Sequence, residues 1–246
     1  RREAGAKEST DYLHDDDNYM IVRPRSEDSS CYYGRGTRWC ISATQSRNYF
    51  DQYTGEGTGF YFVLFKHLPQ DDVYKKLALV FTAGSEEPSE VFDVADDEVG
   101  VDAITEAARH NIFAEALKKS KTGQQIRKLK GPGRVESYKQ AFNDVVEEYD
   151  DFTRTDSIED ALSLQEVLLG LGLDEDDLKD DNADLILEHL EELVFDQQSD
   201  IIGEAIAHFE DNPAGPTDAD YQNLYDQHKY DYIYVSYDQY EENKWY

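Results

Sequence analysis

The sequence predicts an α+β fold, in which a small antiparallel sheet domain is followed by an acidic helical region and a Tyr-rich acidic tail. Three observations predict it. Short apolar runs separated by polar turns fill the first hundred residues, as is typical of antiparallel strands. From Asp102 onward, apolar residues recur at helical spacing. The charge is also divided, because residues 1–135 contain 19 Lys and Arg against 22 Asp and Glu, whereas residues 136–246 contain 5 against 32.

Four strands are expected in the sheet domain, over residues 19–22, 60–65, 77–81 and 90–94. Residues 1–18 precede them and are polar, so we expect a flexible N-terminal segment there. The spacing of strand, turn and strand is typical of an antiparallel meander. The domain is expected to extend over residues 19–122 and to close with a helix that begins near Asp102, which is placed as an N-cap or first-turn acid.

A basic segment that contains Gly and Pro, residues 123–135, is the predicted linker. Beyond it, apolar stripes at helical spacing predict an acidic helical region over residues 136–212. In the Tyr-rich acidic tail, residues 213–246, tyrosines alternate with other residues as they would in a strand. We expect this tail to add an edge strand or to bind a partner, and a disordered acidic tail is the alternative.

The net charge of -30 bears on the kind of partner. Direct nucleic-acid binding by the acidic half is not expected because phosphates would be repelled, whereas a protein with a basic surface would be attracted. A solvated surface that serves solubility is the alternative. The chain has no run of about 18 apolar residues, so no membrane span is expected. The candidate partner-binding residues are carboxylates of the helical region and two tail tyrosines: Asp174, Glu175, Asp176, Asp177, Asp180, Asp181, Tyr232 and Tyr234.

No metal or cofactor is predicted. Cys31 and Cys40 are the two cysteines, and the chain lacks the Cys-x-x-Cys and His-x-x-x-His pairs that zinc sites use. They form no disulfide framework, which fits a reducing compartment, although one bridge between them stays open. Residues 180–191 partly match the EF-hand calcium loop, but Leu185 occupies the position where the loop needs glycine. A helix is therefore the better interpretation of this segment. The residues at the other EF-hand positions are Asp180, Asn182, Asp184 and Glu191.

The segment Gly34-Arg35-Gly36-Thr37-Arg38 has the composition of a phosphate cradle, in which glycine amides and arginines face an anion. It lacks the Gly-x-x-x-x-Gly-Lys-Thr spacing of a P-loop. A turn whose arginines are solvated is the alternative interpretation. The candidate ligand-binding residues are Gly34, Gly36, Arg35, Arg38 and Arg47.

An enzyme is the less favoured alternative. Cys40 would be the nucleophile, Arg35 and Arg38 would favour its thiolate, and Asp51 would lie beside a phosphate-bearing substrate. One version is a transferase that uses an arginine, a strand at residues 42–44 and a later glutamate such as Glu90. A buried structural cysteine is the competing interpretation of Cys40.

The same stretch carries a longer motif. Cys-x-Tyr-Gly-x-Gly-Thr-Arg-Trp-Cys occupies residues 31–40, Asn-x-Phe-Asp-x-Tyr occupies residues 48–53, and Phe-Tyr-Phe occupies residues 60–62. With the segments at residues 74–78 and 90–93, this pattern resembles a domain of uncharacterised proteins from tailed bacteriophages. The resemblance covers about residues 15–100. It implies phage origin, with action in the host cytoplasm during infection or in the virion, and it implies no reaction.

These observations favour a phage-encoded binding protein whose acidic C-terminal half engages a basic protein surface. The partner would be a host nucleic-acid-handling protein, inhibited by a nucleic-acid mimic, or a phage structural protein. A structural or accessory protein of the virion is one alternative. An enzyme that acts on a phosphate-bearing substrate through the region of Arg35, Arg38 and Cys40 is the other.

Overall fold

The computed structural model describes residues 2–54, 58–155, 166–167, 169–172 and 183–212. Within these ranges the fold is α+β, as predicted, and the sheet has five strands that pair antiparallel in chain order. The predicted meander is therefore confirmed. Its strands are β1 (Thr10–Asp15), β2 (Tyr19–Pro24), β3 (Thr58–Phe65), β4 (Lys76–Thr82) and β5 (Glu90–Phe92).

Short helices surround the first strands, and long helices follow the last one. The short elements are α1 (Arg2–Glu8), α2 (Glu27–Tyr33), a 3₁₀ turn (Cys40–Ser42) and α3 (Phe50–Thr54). The later helices are α4 (Asp102–Lys119), α5 (Lys121–Arg127), α6 (Pro132–Thr155) and α7 (Ala183–Asp211).

The prediction of a flexible N-terminal segment is wrong over residues 2–15. Helix α1 leads into β1, which pairs with β2 from Thr10, opposite Pro24, to Asp15, opposite Met20. β1 is an edge strand, and its side chain Tyr12 is about half exposed. Pairing with β2 therefore orders a polar sequence that has no apolar periodicity of its own.

The central strand β3 is buried on both faces. Phe60 and Phe62 pack in a core cluster with residues of α2, the 3₁₀ turn and α3. Tyr61, Val63 and Phe65 pack in a second cluster with residues of the long helices α4, α6 and α7. Because both faces are covered, β3 is a continuous apolar run rather than an alternating one.

The two predicted domains share one of these cores. Phe142 of α6 and Phe209 of α7 belong to the same buried cluster as Tyr61. At the end of α7, the buried guanidinium of Arg23 on β2 donates a hydrogen bond to the backbone carbonyl of Asn212. The predicted boundary between residues 122 and 136 therefore does not separate two hydrophobic cores.

The prediction of a linker over residues 123–135 is also wrong in part, because α5 ends only at Arg127 and α6 begins at Pro132. Helix α5 starts with a side-chain cap, in which Ser120 Oγ accepts a hydrogen bond from Gly123 N at 3.1 Å. A side chain at Gly123 would place its Cβ 1.9 Å from the carbonyl oxygen of Leu117. This glycine therefore permits a close turn between α4 and α5 rather than a flexible connection.

None of the helices in the described part of the chain is long and apolar enough to cross a membrane.

Candidate functional site

The Gly34–Arg38 loop is a tight turn held by backbone acceptors. Thr37 donates from its backbone N and from Oγ1 to the carbonyl oxygen of Gly34, at 3.0 and 2.7 Å. Lys76 Nζ donates to the carbonyl oxygens of Tyr33 and Arg35, both at 2.7 Å. An ammonium group on these carbonyls stabilises the chain where α2 ends, since that helix terminus carries partial negative charge.

Both glycines of the loop have structural reasons. Gly36 has a φ of +88°, a backbone conformation that favours glycine. A Cβ on Gly34 would lie 2.1 Å from Ser42 Oγ and 2.9 Å from the carbonyl oxygen of Ser30. Without a side chain, Gly34 allows the 3₁₀ turn to lie close to the end of α2, where Ser42 Oγ donates to the carbonyl oxygen of Ser30 at 2.9 Å.

The three candidate ligand-binding arginines, Arg35, Arg38 and Arg47, are exposed at the protein surface. The guanidinium carbon of Arg35 lies 5.9 Å from the ring centroid of Tyr32, and that of Arg47 lies 4.9 Å from the centroid of Tyr49. Both distances are within the range of cation–π contacts. Arg38 is held through its backbone, whose N donates to Val94 O at 2.9 Å. These contacts favour the alternative of a turn with solvated arginines over a phosphate cradle.

The pKa of Cys40 shifts in the direction opposite to the one that the enzyme alternative requires. Burial raises the pKa of Cys40, and the carboxylate of Asp96 raises it further. Asp51 lies exposed in the first turn of α3. The segment proposed as a transferase strand begins instead in the 3₁₀ turn that ends at Ser42. These observations therefore give no support to the thiolate or to the strand of the enzyme alternative.

Both cysteines are free thiols, so no bridge joins them. Cys31 accepts a hydrogen bond from Asn48 Nδ2 at 3.3 Å, and its Sγ lies 3.7 Å from the carbonyl oxygen of Ala43. The same Asn48 side chain accepts from Phe50 N at 2.8 Å and so shapes the start of α3. Cys31 therefore packs α2 against the loop before α3, which is a structural role.

Two distant parts of the long motif at residues 31–93 meet in the fold. The indole N–H of Trp39 donates to the carbonyl oxygen of Asp93, and the Trp39 ring packs on Phe62 with centroids 4.6 Å apart. The Asp93 carboxylate accepts from the backbone N of Ala95 and Asp97, at 2.7 and 3.1 Å. Most of this motif therefore forms the layer of short helices and turns that packs on one face of the sheet.

A different surface, on α7, combines many acidic residues with an exposed aromatic side chain. The helix contains nine Asp and Glu and no Lys or Arg. Glu191 is paired with Arg109 at 3.2 Å and Glu204 lies 3.1 Å from His14, so these two acids have partners within the molecule. The exposed side of the helix, called the acidic face below, comprises Glu188, Glu192, Phe195, Asp196, Ser199, Asp200, Gly203, Ala207, Glu210 and Asp211.

Sequence reasoning missed this face, although a helical projection of residues 183–211 would have found it, because these ten positions fall on one side at 3.6 residues per turn. The predicted partner-binding residues Asp174, Glu175, Asp176, Asp177, Asp180, Asp181, Tyr232 and Tyr234 lie outside the described residues. So do the predicted tail strand and the first two EF-hand positions, Asp180 and Asn182.

The helix interpretation of the EF-hand segment holds from Ala183 onward. Within the part of the chain that is described, His, Cys, Asp and Glu residues form no group of three or more suited to a metal ion.

Comparisons of this chain with protein-family models, with curated proteins and with solved structures found no match.

Proposed function

We propose that this is a phage-encoded binding protein whose acidic face on α7 engages a basic surface of a partner protein. One observation carries the proposal: Phe195, 64% exposed, projects from a helix side that is otherwise rich in carboxylates. An exposed aromatic side chain surrounded by charged residues is typical of a protein interface, in which the aromatic residue is the anchor and the charges form the rim.

The carboxylates of this face are available to pair with basic groups of a partner. Glu188, Glu192, Asp196 and Asp200 are exposed and form no ion pair with another described residue. Complementary charges across an interface speed association and select the partner, more than they add to affinity. A surface that served solubility alone would gain nothing from a large exposed aromatic in its midst.

Nucleic-acid mimicry is the finer form of the proposal. These four acids recur every fourth residue, which spaces them about 6 Å apart along the helix axis. A regular row of negative charges on a rigid rod is what a DNA- or RNA-handling protein recognises non-specifically in a nucleic-acid backbone. The phage-like motif supports the infected cell as the place of action, with a host nucleic-acid-handling protein as the partner.

The shared core determines how the proposal is tested. Removal of residues 136–246 would take away α6 and α7 and expose Tyr61 and other core residues, so loss of binding would follow from unfolding alone. Isosteric substitutions on the acidic face avoid this. The test variant is Glu188→Gln, Glu192→Gln, Asp196→Asn and Asp200→Asn, and its matched control is Glu86→Gln, Glu87→Gln, Glu90→Gln and Glu98→Gln, which removes four exposed charges elsewhere.

The experiment is capture of proteins from bacterial lysate by the immobilised full chain, quantified by mass spectrometry. We expect a captured protein that is released by a short DNA duplex, and whose capture weakens steeply between about 50 and 300 mM NaCl. The acidic-face variant and Phe195→Ala should each lose it, while the control variant keeps it. Equal loss in test and control variants would refute a specific acidic face. Release by salt but not by DNA would refute mimicry and leave basic-surface binding.

A further inference from the structure

A second surface of the molecule carries the opposite charge. A pocket of about 310 Å³ lies between the β3–β4 connection, the end of α4 and the start of α6. Its apolar floor includes Leu68, Leu117 and Phe142, and its basic side chains include Lys118 and Arg134. A cavity of this size with an apolar floor and a few charged groups is typical of small-molecule sites.

The floor is held in place by contacts from three elements. Leu68, Leu117 and Phe142 are each buried. The Phe142 ring packs edge-on against His110 at 5.2 Å, and the hydroxyl of Tyr138 donates to Gly123 O at 2.9 Å. Such fixed side chains lose little conformational entropy when a ligand binds.

The β3–β4 connection that forms one wall is fixed as well. Lys75 Nζ donates to the carbonyl oxygens of Lys66 and Leu68, at 3.0 and 2.6 Å. Lys66 at the rim is itself paired with Asp15 at 2.6 Å, and Lys139 is paired with Asp71 at 3.1 Å. These two cations therefore have counter-ions on the protein.

The other two basic side chains of the pocket form no ion pair within the part of the chain that is described. Lys118 donates to Nδ1 of His67, and Arg134 forms no ion pair with another described residue. Burial and Lys118 lower the pKa of His67 to about 4, although Glu115 and Asp17 oppose this. Burial and Arg127 lower the pKa of Lys118, and Asp17 and Glu115 oppose this in part. His67 is thus a neutral acceptor at pH 7, and positive charge at the pocket is only partly compensated.

We propose that this pocket binds a small organic phosphate monoester, with its apolar or aromatic body on the floor and its phosphate between Lys118 and Arg134. Two cations that form no ion pair with another described residue match a dianion, and the second pKa of a phosphate monoester near 6 makes it a dianion at pH 7.5. Arg and Lys donors to phosphate oxygens form the stronger, charge-assisted class of hydrogen bond. The proposal is independent of the acidic face, which lies on α7.

The test is isothermal titration calorimetry of the full chain with phenyl phosphate at pH 7.5, with inorganic phosphate and phenol as partial ligands. We expect phenyl phosphate to bind at least about tenfold more tightly than either, since each contributes only one of the two contacts. The variant Arg134→Gln changes an exposed side chain, so the fold is retained, and it should weaken binding by about tenfold. Adding Lys118→Gln should abolish binding.

The matched control is Lys119→Gln with Lys130→Gln, which removes two charges from neighbouring positions that do not line the pocket. This control should bind phenyl phosphate as the wild type does. Three results would each overturn the proposal: no binding of phenyl phosphate up to about 10 mM, equal weakening in the control variant, or equal affinity for inorganic phosphate, which would leave the apolar floor without a role.

Discussion

His110 joins α4 to the β3–β4 connection through its charge. Its Nε2 lies 2.8 Å from a carboxylate oxygen of Glu106 on the same helix, and its Nδ1 lies 3.7 Å from Asp72. The side chain is 16% exposed, and its ring contacts Phe142. Burial lowers the pKa of His110, but the two carboxylates outweigh burial and raise the pKa to about 9.

A histidine whose pKa rises on folding stabilises the protein most below its unfolded pKa near 6.5. The stabilisation is lost as the pH rises through about 9. We therefore expect His110→Gln to lower the free energy of unfolding at pH 6 by an amount on the order of 2 kcal/mol, and by little above pH 9. Urea unfolding of both proteins from pH 6 to 9.5 measures this.

His67→Gln is the matched control for His110→Gln between pH 7 and 9.5, because the pKa of His67 is lowered to about 4 in the folded protein and the unfolded ring is also largely neutral above about 6.5. Its effect on stability should be far less dependent on pH. An effect of His110→Gln that is the same at every pH would show that the ring acts by packing alone.

Helix α7 has two sides with opposite roles. Its inward side places Ile201, Ala205 and Phe209 in the core beneath the sheet. Phe209 fills the space left by a glycine in β3, since a Cβ on Gly59 would lie 2.7 Å from the Phe209 ring. Its outward side carries the carboxylates and Phe195. One helix therefore stabilises the sheet and presents the proposed binding surface.

Phe209 and Phe195 give a matched pair of substitutions on this helix, because one is 4% exposed and the other 64%. Phe209→Ala should lower the free energy of unfolding by about 3–5 kcal/mol, through lost apolar burial and the cavity that remains. Phe195→Ala should change it by less than about 0.5 kcal/mol. Chemical denaturation measures both, and similar losses in the two variants would contradict the assignment of the two sides.

The whole molecule combines a net charge of -30 with one core cluster that spans the sheet and the long helices. Negative charge is concentrated in the second half of the sequence, yet α6 and α7 of that half pack against the first half. Like charges on a compact molecule repel and lower its stability. The acidic face adds a local contribution, because its acids stand four residues apart on one helix.

Salt should therefore stabilise this protein. We expect the thermal midpoint to rise between about 20 and 500 mM NaCl, as screening shortens the range of repulsion. The acidic-face variant should be more stable than wild type by about 1 kcal/mol at low salt, and this advantage should fall at high salt. The control variant with four substitutions at residues 86–98 should gain less. Stability that is insensitive to salt would contradict a destabilising charge.

Elements with a strong local pattern were predictable from the sequence. The apolar runs of β3 and β4 and the periodic stripe of α4 encode their own structure, and consecutive strands pair with their neighbours in a meander. The charge division is also a property of sequence alone. The α+β class followed from these features, because local periodicity suffices to distinguish strand from helix.

Tertiary structure alone decided the remainder, since long-range contacts carry no local signal. β1 is ordered by its pairing with β2, although its own residues are polar. Burial and then the carboxylate of Asp96 raise the pKa of Cys40, although arginines stand near it in the sequence. Arg134 and Lys118 meet His67 at one pocket only because α4, α6 and the β3–β4 connection converge there. Residues far apart in sequence acquire a joint chemistry only when folding brings them within a few ångströms of each other.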